Sequence, residues 1–118
     1  MSEDKPKRPQ QVYTLLVEVG RTADDGLPKG ATGAALLCYS TGVTEEEAVR
    51  ECVAVLKQAD LAPLDVTGYG TLDERLAMGH EIEAEERELM DRALADNAVI
   101  VAQATPFYGD EDRERTLH

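Results

Sequence analysis

Residues 70–79, GTLDERLAMG, are the stretch on which the fold turns. Thr71 followed three positions later by Glu74 has the spacing of a capping box, in which hydroxyl and carboxylate satisfy the free N–H groups of a helix start. On that reading residues 71–78 are helical. Leu72, Glu74 and Leu76 also alternate as strand residues do. The helical reading is locally the stronger, whereas a strand gives the more familiar topology.

Upstream, residues 64–69, LDVTGY, suit a short strand with Leu64, Val66 and Gly68 on one face. Pro63 keeps the preceding helix from running into it. That helix spans 44–59. Thr44 is its N-cap, Glu47 completes a second capping box, and Glu45 and Glu46 complement the positive helix end. Ala48, Val49, Cys52, Val55 and Leu56 recur at the helical period and form one apolar stripe. Before it lie two strands, 11–19 and 34–40. Tyr13, Leu15, Val17 and Val19 share the expected core face of the first, with Val12, Thr14, Leu16 and Glu18 opposite. In the second, Leu36 and Cys38 face away from Ala35, Leu37 and Tyr39. The segment between them, 20–33, has four glycines and reads as a long loop.

Downstream, residues 81–96 predict a second main helix with Ile82, Leu89, Met90, Ala93 and Leu94 as its stripe. Residues 98–104, AVIVAQA, are apolar on both faces, the pattern of a central strand, and Pro106 is expected to end it.

These elements predict an α+β domain over residues 11–108: a four- to five-stranded, mainly antiparallel sheet with two helices on one face. If 71–77 were a strand, the order from residue 34 would be βαββαβ. That resembles the ferredoxin-like arrangement or a related two-layer sandwich, a likeness resting on element order alone. Leu16, Leu36 or Leu37, Val99 or Ile100, and Val101 cannot all face the helices, so the far side of such a sheet would hold several of them. A face that apolar implies pairing with a second copy. Residues 1–10 and the acidic 109–118 read as flexible tails.

Composition narrows the function classes. With 118 residues, one domain is expected. The net charge of −12 disfavours phosphate backbones and anionic membranes, so neither nucleic acid nor membrane is an expected partner, whereas a basic protein is allowed. No apolar run reaches the roughly 20 residues of a membrane span. No secretory leader is recognisable, and a cytoplasmic location follows by elimination. Cys38 and Cys52 lie in apolar runs without CxxC spacing and read as reduced core residues.

Chemistry-bearing residues are few. Lys29 lies in the glycine-rich loop, but a strand rather than a helix follows it, unlike a phosphate loop. His80 and Glu83 would stand one turn apart if a single helix held both, a spacing that suits two metal ligands; a convincing site needs a third. Tyr69 stands between Gly68 and Gly70 and could offer its ring to a ligand or partner. Ser2 and Ser40 are the only serines, and neither sits in a nucleophile elbow. No cofactor motif is present, and no nucleophile, base and oxyanion donor assemble. The sequence therefore points to a non-enzymatic interaction or regulatory module acting as a homodimer. The alternative is a small-ligand or metal-binding domain built from the 20–33 loop, Lys29, Tyr69 and His80, with His80 and Glu83 as the metal pair.

Overall fold

The computed structural model describes residues 9–108. The tails expected at 1–10 and 109–118 lie outside the described residues, except for residues 9 and 10. Strand β1 (Gln11–Gly20) forms an antiparallel hairpin with β2 (Gly33–Gly42), with Leu15 opposite Cys38 and Val17 opposite Leu36. The alternation read in the sequence holds: Tyr13, Leu15, Val17 and Val19 share a buried face with Ala34, Leu36 and Cys38.

Helix α1 (Glu45–Gln58) covers that face with Ala48, Cys52 and Leu56, all buried. The Thr44 hydroxyl accepts from the Glu47 N–H at 3.2 Å. The Glu47 carboxylate accepts from the Val43 N–H at 2.8 Å, one residue before the cap, so the predicted box is closed by a neighbouring donor. Strand β3 (Ala62–Thr71) then pairs with the free side of β1, and the chain turns into α2 (Leu72–Ala77). Here the capping box is complete: the Thr71 hydroxyl accepts from Glu74 N–H at 3.1 Å, and Glu74 Oε1 accepts from Thr71 N–H at 2.8 Å. Helix α3 (Ala84–Asp96) and strand β4 (Ile100–Phe107) follow.

The result is an α+β fold with one four-stranded antiparallel sheet of order β3-β1-β2-β4. It departs from the expected arrangement in three ways. First, the strand that a ferredoxin-like order would place at 71–77 is helix α2. Second, the two main helices do not share a face. Val12 and Tyr39 point away from the Tyr13–Cys38 core, and they pack with Met90 and Ala93 of α3. The connectivity explains this. α1 carries the chain from β2 over β1 to β3, and α3 carries it back from β3 to the opposite edge at β4. With one face already filled by α1, the return crosses the other, so the far side of the sheet, expected to stay free for a second copy, carries α3 over Val12 and Tyr39. Third, the segment expected as a central strand is an edge strand, β4, and it runs through Pro106 to Phe107. Proline is tolerated there because an edge strand needs ladder hydrogen bonds on one side only.

Helix α3 ends at Asn97, a left-handed residue (φ 51°) whose Oδ1 accepts from the Thr41 hydroxyl at 2.6 Å. Among the described residues no helix is long and apolar enough to cross a membrane.

Candidate functional site

Two groups of side chains meet around α2, one on each side of it. On the α3 side, a polar chain crosses otherwise apolar packing. The Tyr39 hydroxyl donates to Glu86 Oε2 at 2.6 Å. Arg75 Nη1 donates to the same oxygen at 2.6 Å and to the Thr14 hydroxyl at 3.1 Å. Arg75 Nε donates to His80 Nδ1 at 3.0 Å. The Arg75 and Glu86 side chains retain 12% and 21% exposure, so this ion pair is largely shielded from water. Burial, then the bond to Glu86, pushes the Tyr39 hydroxyl well above the usual phenol range. Burial acts to raise the Glu86 carboxyl, but the bonds from Tyr39 and Arg75 outweigh it and the net direction is down. No buried side-chain nitrogen or oxygen among the described residues lacks a hydrogen-bond partner. The polar chain clamps α2 and α3 to the sheet.

On the other side of α2 lies an open depression of about 590 Å³, lined by Glu45, Gly68, Tyr69, Gly70, Glu74, Ala77 and Met78. Local backbone explains how it forms. Gly70 has φ +91°, a conformation that disfavours side chains, and a Cβ there would meet Glu74 Oε1 at 2.5 Å. A Cβ on Gly68 would overlap the Glu45 carboxylate. The two glycines let a carboxylate lie against the strand on each side of Tyr69. Tyr69 is 37% exposed and Met78 60%. The Tyr13 hydroxyl, which donates to Val43 O at 3.4 Å, is pushed up by burial and then by the negative charges of Glu74, Glu45 and Glu47. The acids of α1 and α2 thus converge on one corner.

The predicted site residues are not gathered. Lys29 is exposed in the β1–β2 loop at the far end of the sheet from Tyr69. That loop is held by Arg21, which bonds Asp25 at 2.8 Å, Pro28 O at 3.1 Å and Ala31 O. Two backbone N–H bonds, from Thr22 and Leu27, and the bond from Arg21 lower the Asp25 carboxyl to about 2. His80 lies in the α2–α3 connection with Nδ1 occupied by Arg75. Glu83 is the exposed cap before α3, so the helical turn that would align it with His80 is absent. Among the described residues no three of His, Cys, Asp and Glu gather as a metal would require. Cys38 and Cys52 are free and buried, and contact with the Cys52 thiol together with burial pushes the Cys38 thiol up.

Sequence reasoning singled out Tyr69 but missed Glu45 and Glu74 as its neighbours, although the Thr71–Glu74 box already fixes Glu74 beside Gly70. It also missed the chain through Thr14, Tyr39, Arg75 and Glu86, whose members are scattered along the sequence.

Comparison with curated proteins and with solved structures gave no match. A family described as a domain of unknown function, DUF8846, matches residues 12–108, and the chain belongs to that family.

Proposed function

We infer that this domain is a non-enzymatic interaction or regulatory module that works as a homodimer, joined edge to edge through β4. One observation carries the reading: β4 has the composition of an interior strand and the position of an edge strand. Ile100–Phe107 contains no charged residue in a chain that is 31% charged, and Val101 is 44% exposed. Edges are ordinarily blunted by charges, prolines or bulges, because their free N–H and C=O groups recruit other strands. The β3 edge has such protection: Pro63, Asp65 and two register shifts against β1. In β4 the only proline is Pro106, near its end, and a single register shift against β2 falls between Val101 and Gln103, so its free edge is less protected than that of β3 and carries no charge. An antiparallel pair of β4 strands about a two-fold axis would satisfy both copies with the same groups. It would also extend each sheet into one of eight strands and make the interior-like sequence interior in fact.

The expected mass in sedimentation at micromolar concentration is that of two chains. A Val101→Lys, Gln103→Lys double variant, which brings like charges together across the two-fold, is expected to sediment as one folded chain. A wild-type mass of one chain would overturn the reading, as would an unchanged dimer in that variant.

The ligand-binding alternative, with Lys29, Tyr69 and His80 in a single site, draws no support from their placement: Tyr69 borders one depression, and Thr22, Ala23 and Asp24 of the 20–33 loop border another.

A further inference from the structure

The depression beside Tyr69 gathers exposed groups of two kinds, apolar surface and two carboxylates that also stand at the starts of α1 and α2. Tyr69 and Met78 leave apolar surface open to water, next to two carboxylates. Glu74 spends Oε1 on the Thr71 N–H, and Glu45 makes no ion pair among the described residues. The cation on α2, Arg75, is turned to the α3 side, where it bonds Thr14, Glu86 and His80. The glycines on either side of Tyr69 leave room for both carboxylates against the strand, and Glu74 is tied there by its bond to the Thr71 N–H. A partly exposed aromatic residue, a thioether and two neighbouring carboxylates match one kind of group: a cation on an apolar stem. The stem of a lysine or arginine would lie along Met78 and Ala77, with its charged head over the Tyr69 ring and between Glu45 and Glu74. The net charge of −12 would steer such a partner from a distance.

We propose that the Tyr69 depression is the docking site for a basic segment of a partner protein, which inserts one lysine or arginine side chain between Glu45 and Glu74. The site lies on the β3 side of the sheet and does not depend on pairing through β4.

The test is a titration of the full chain with a labelled peptide of alternating lysine and glycine and with its arginine counterpart, read by fluorescence anisotropy and by amide chemical shifts. Saturable binding is expected, with the largest shifts at Tyr69, Gly70 and Met78. Tyr69→Ala is expected to weaken it roughly tenfold, the equivalent of about 1.4 kcal/mol from lost ring contact and stem burial. Glu45→Gln should weaken it about threefold and flatten its salt dependence. Glu85→Gln with Glu88→Gln, acids on α3 away from the site, should leave it unchanged. Equal binding by the Tyr69→Ala and wild-type chains, equal loss in the α3 variant, or no saturable shift at Tyr69 would each overturn the proposal. Repeating the titration with the Val101→Lys, Gln103→Lys variant separates the two readings, because peptide binding should survive there whatever the mass of the chain.

Discussion

The two faces of the sheet are held by different means. Under α1, side chains of β1, β2 and the helix meet in a dry, apolar layer of Leu15, Val17, Leu36, Cys38, Cys52 and Leu56. Under α3, the apolar patch is smaller, Val12, Tyr39, Met90 and Ala93, and it is bordered by the Thr14–Arg75–Glu86–Tyr39 chain. Apolar packing tolerates many neighbours of similar volume, whereas a buried hydrogen-bonded pair demands its own partners. The α1 face therefore supplies most of the cohesion. The α3 face supplies selection of one docked arrangement for α2 and α3.

This difference is open to attack at each face. The largest expected loss is on the dry side: Leu56→Ala should cost about 3 kcal/mol of unfolding free energy in urea titration, because the cavity forms in a layer with little freedom to collapse. Arg75→Ala should cost about 2 kcal/mol, less than a fully buried pair because both partners keep some contact with water. Its signature in hydrogen exchange should be faster exchange in α3 while α1 stays protected; uniform acceleration would mean that the two faces are not separable. Tyr39→Phe, which keeps the ring and drops one bond to a charged oxygen, should cost about 1.5 kcal/mol. The smallest effect is expected from acid. The folded Glu86 carboxyl titrates below its unfolded value, so its contribution is present above the ordinary glutamate range near 4.3 and is lost as pH falls through the lower folded value. Glu86→Gln should remove that part of the acid destabilisation, and an unchanged pH profile would argue that the carboxylate plays no part in holding α3.

The α1 face was legible in the sequence because one helix stripe and two alternating strands all repeat at their own periods. Thr44 and Thr71 announced helix starts through local chemistry that needs no tertiary partner. The α3 face was less legible. Val12, Thr14, Leu16 and Glu18 mix apolar and polar residues on one side of β1, and no periodicity says which face of a sheet a later helix will cross. That depends on which face α1 has already filled. β4 was read as central because a run apolar on both faces reports how apolar a strand is, not how many neighbours it has. Of the two groups around α2, Tyr69 stood out by its flanking glycines. The Arg75–Glu86 pair gave no sign, since its members belong to different helices and meet only after both have docked.

The order β3-β1-β2-β4 has a consequence for valency. Its two outer strands lie on opposite margins, so a pair of chains joined at β4 would carry their Tyr69 surfaces at the two extremities of the shared sheet, about 35 Å apart at the usual strand spacing. A binding target displaying basic segments at that separation would engage both ends at once, and the second contact would form at the high effective concentration set by the first.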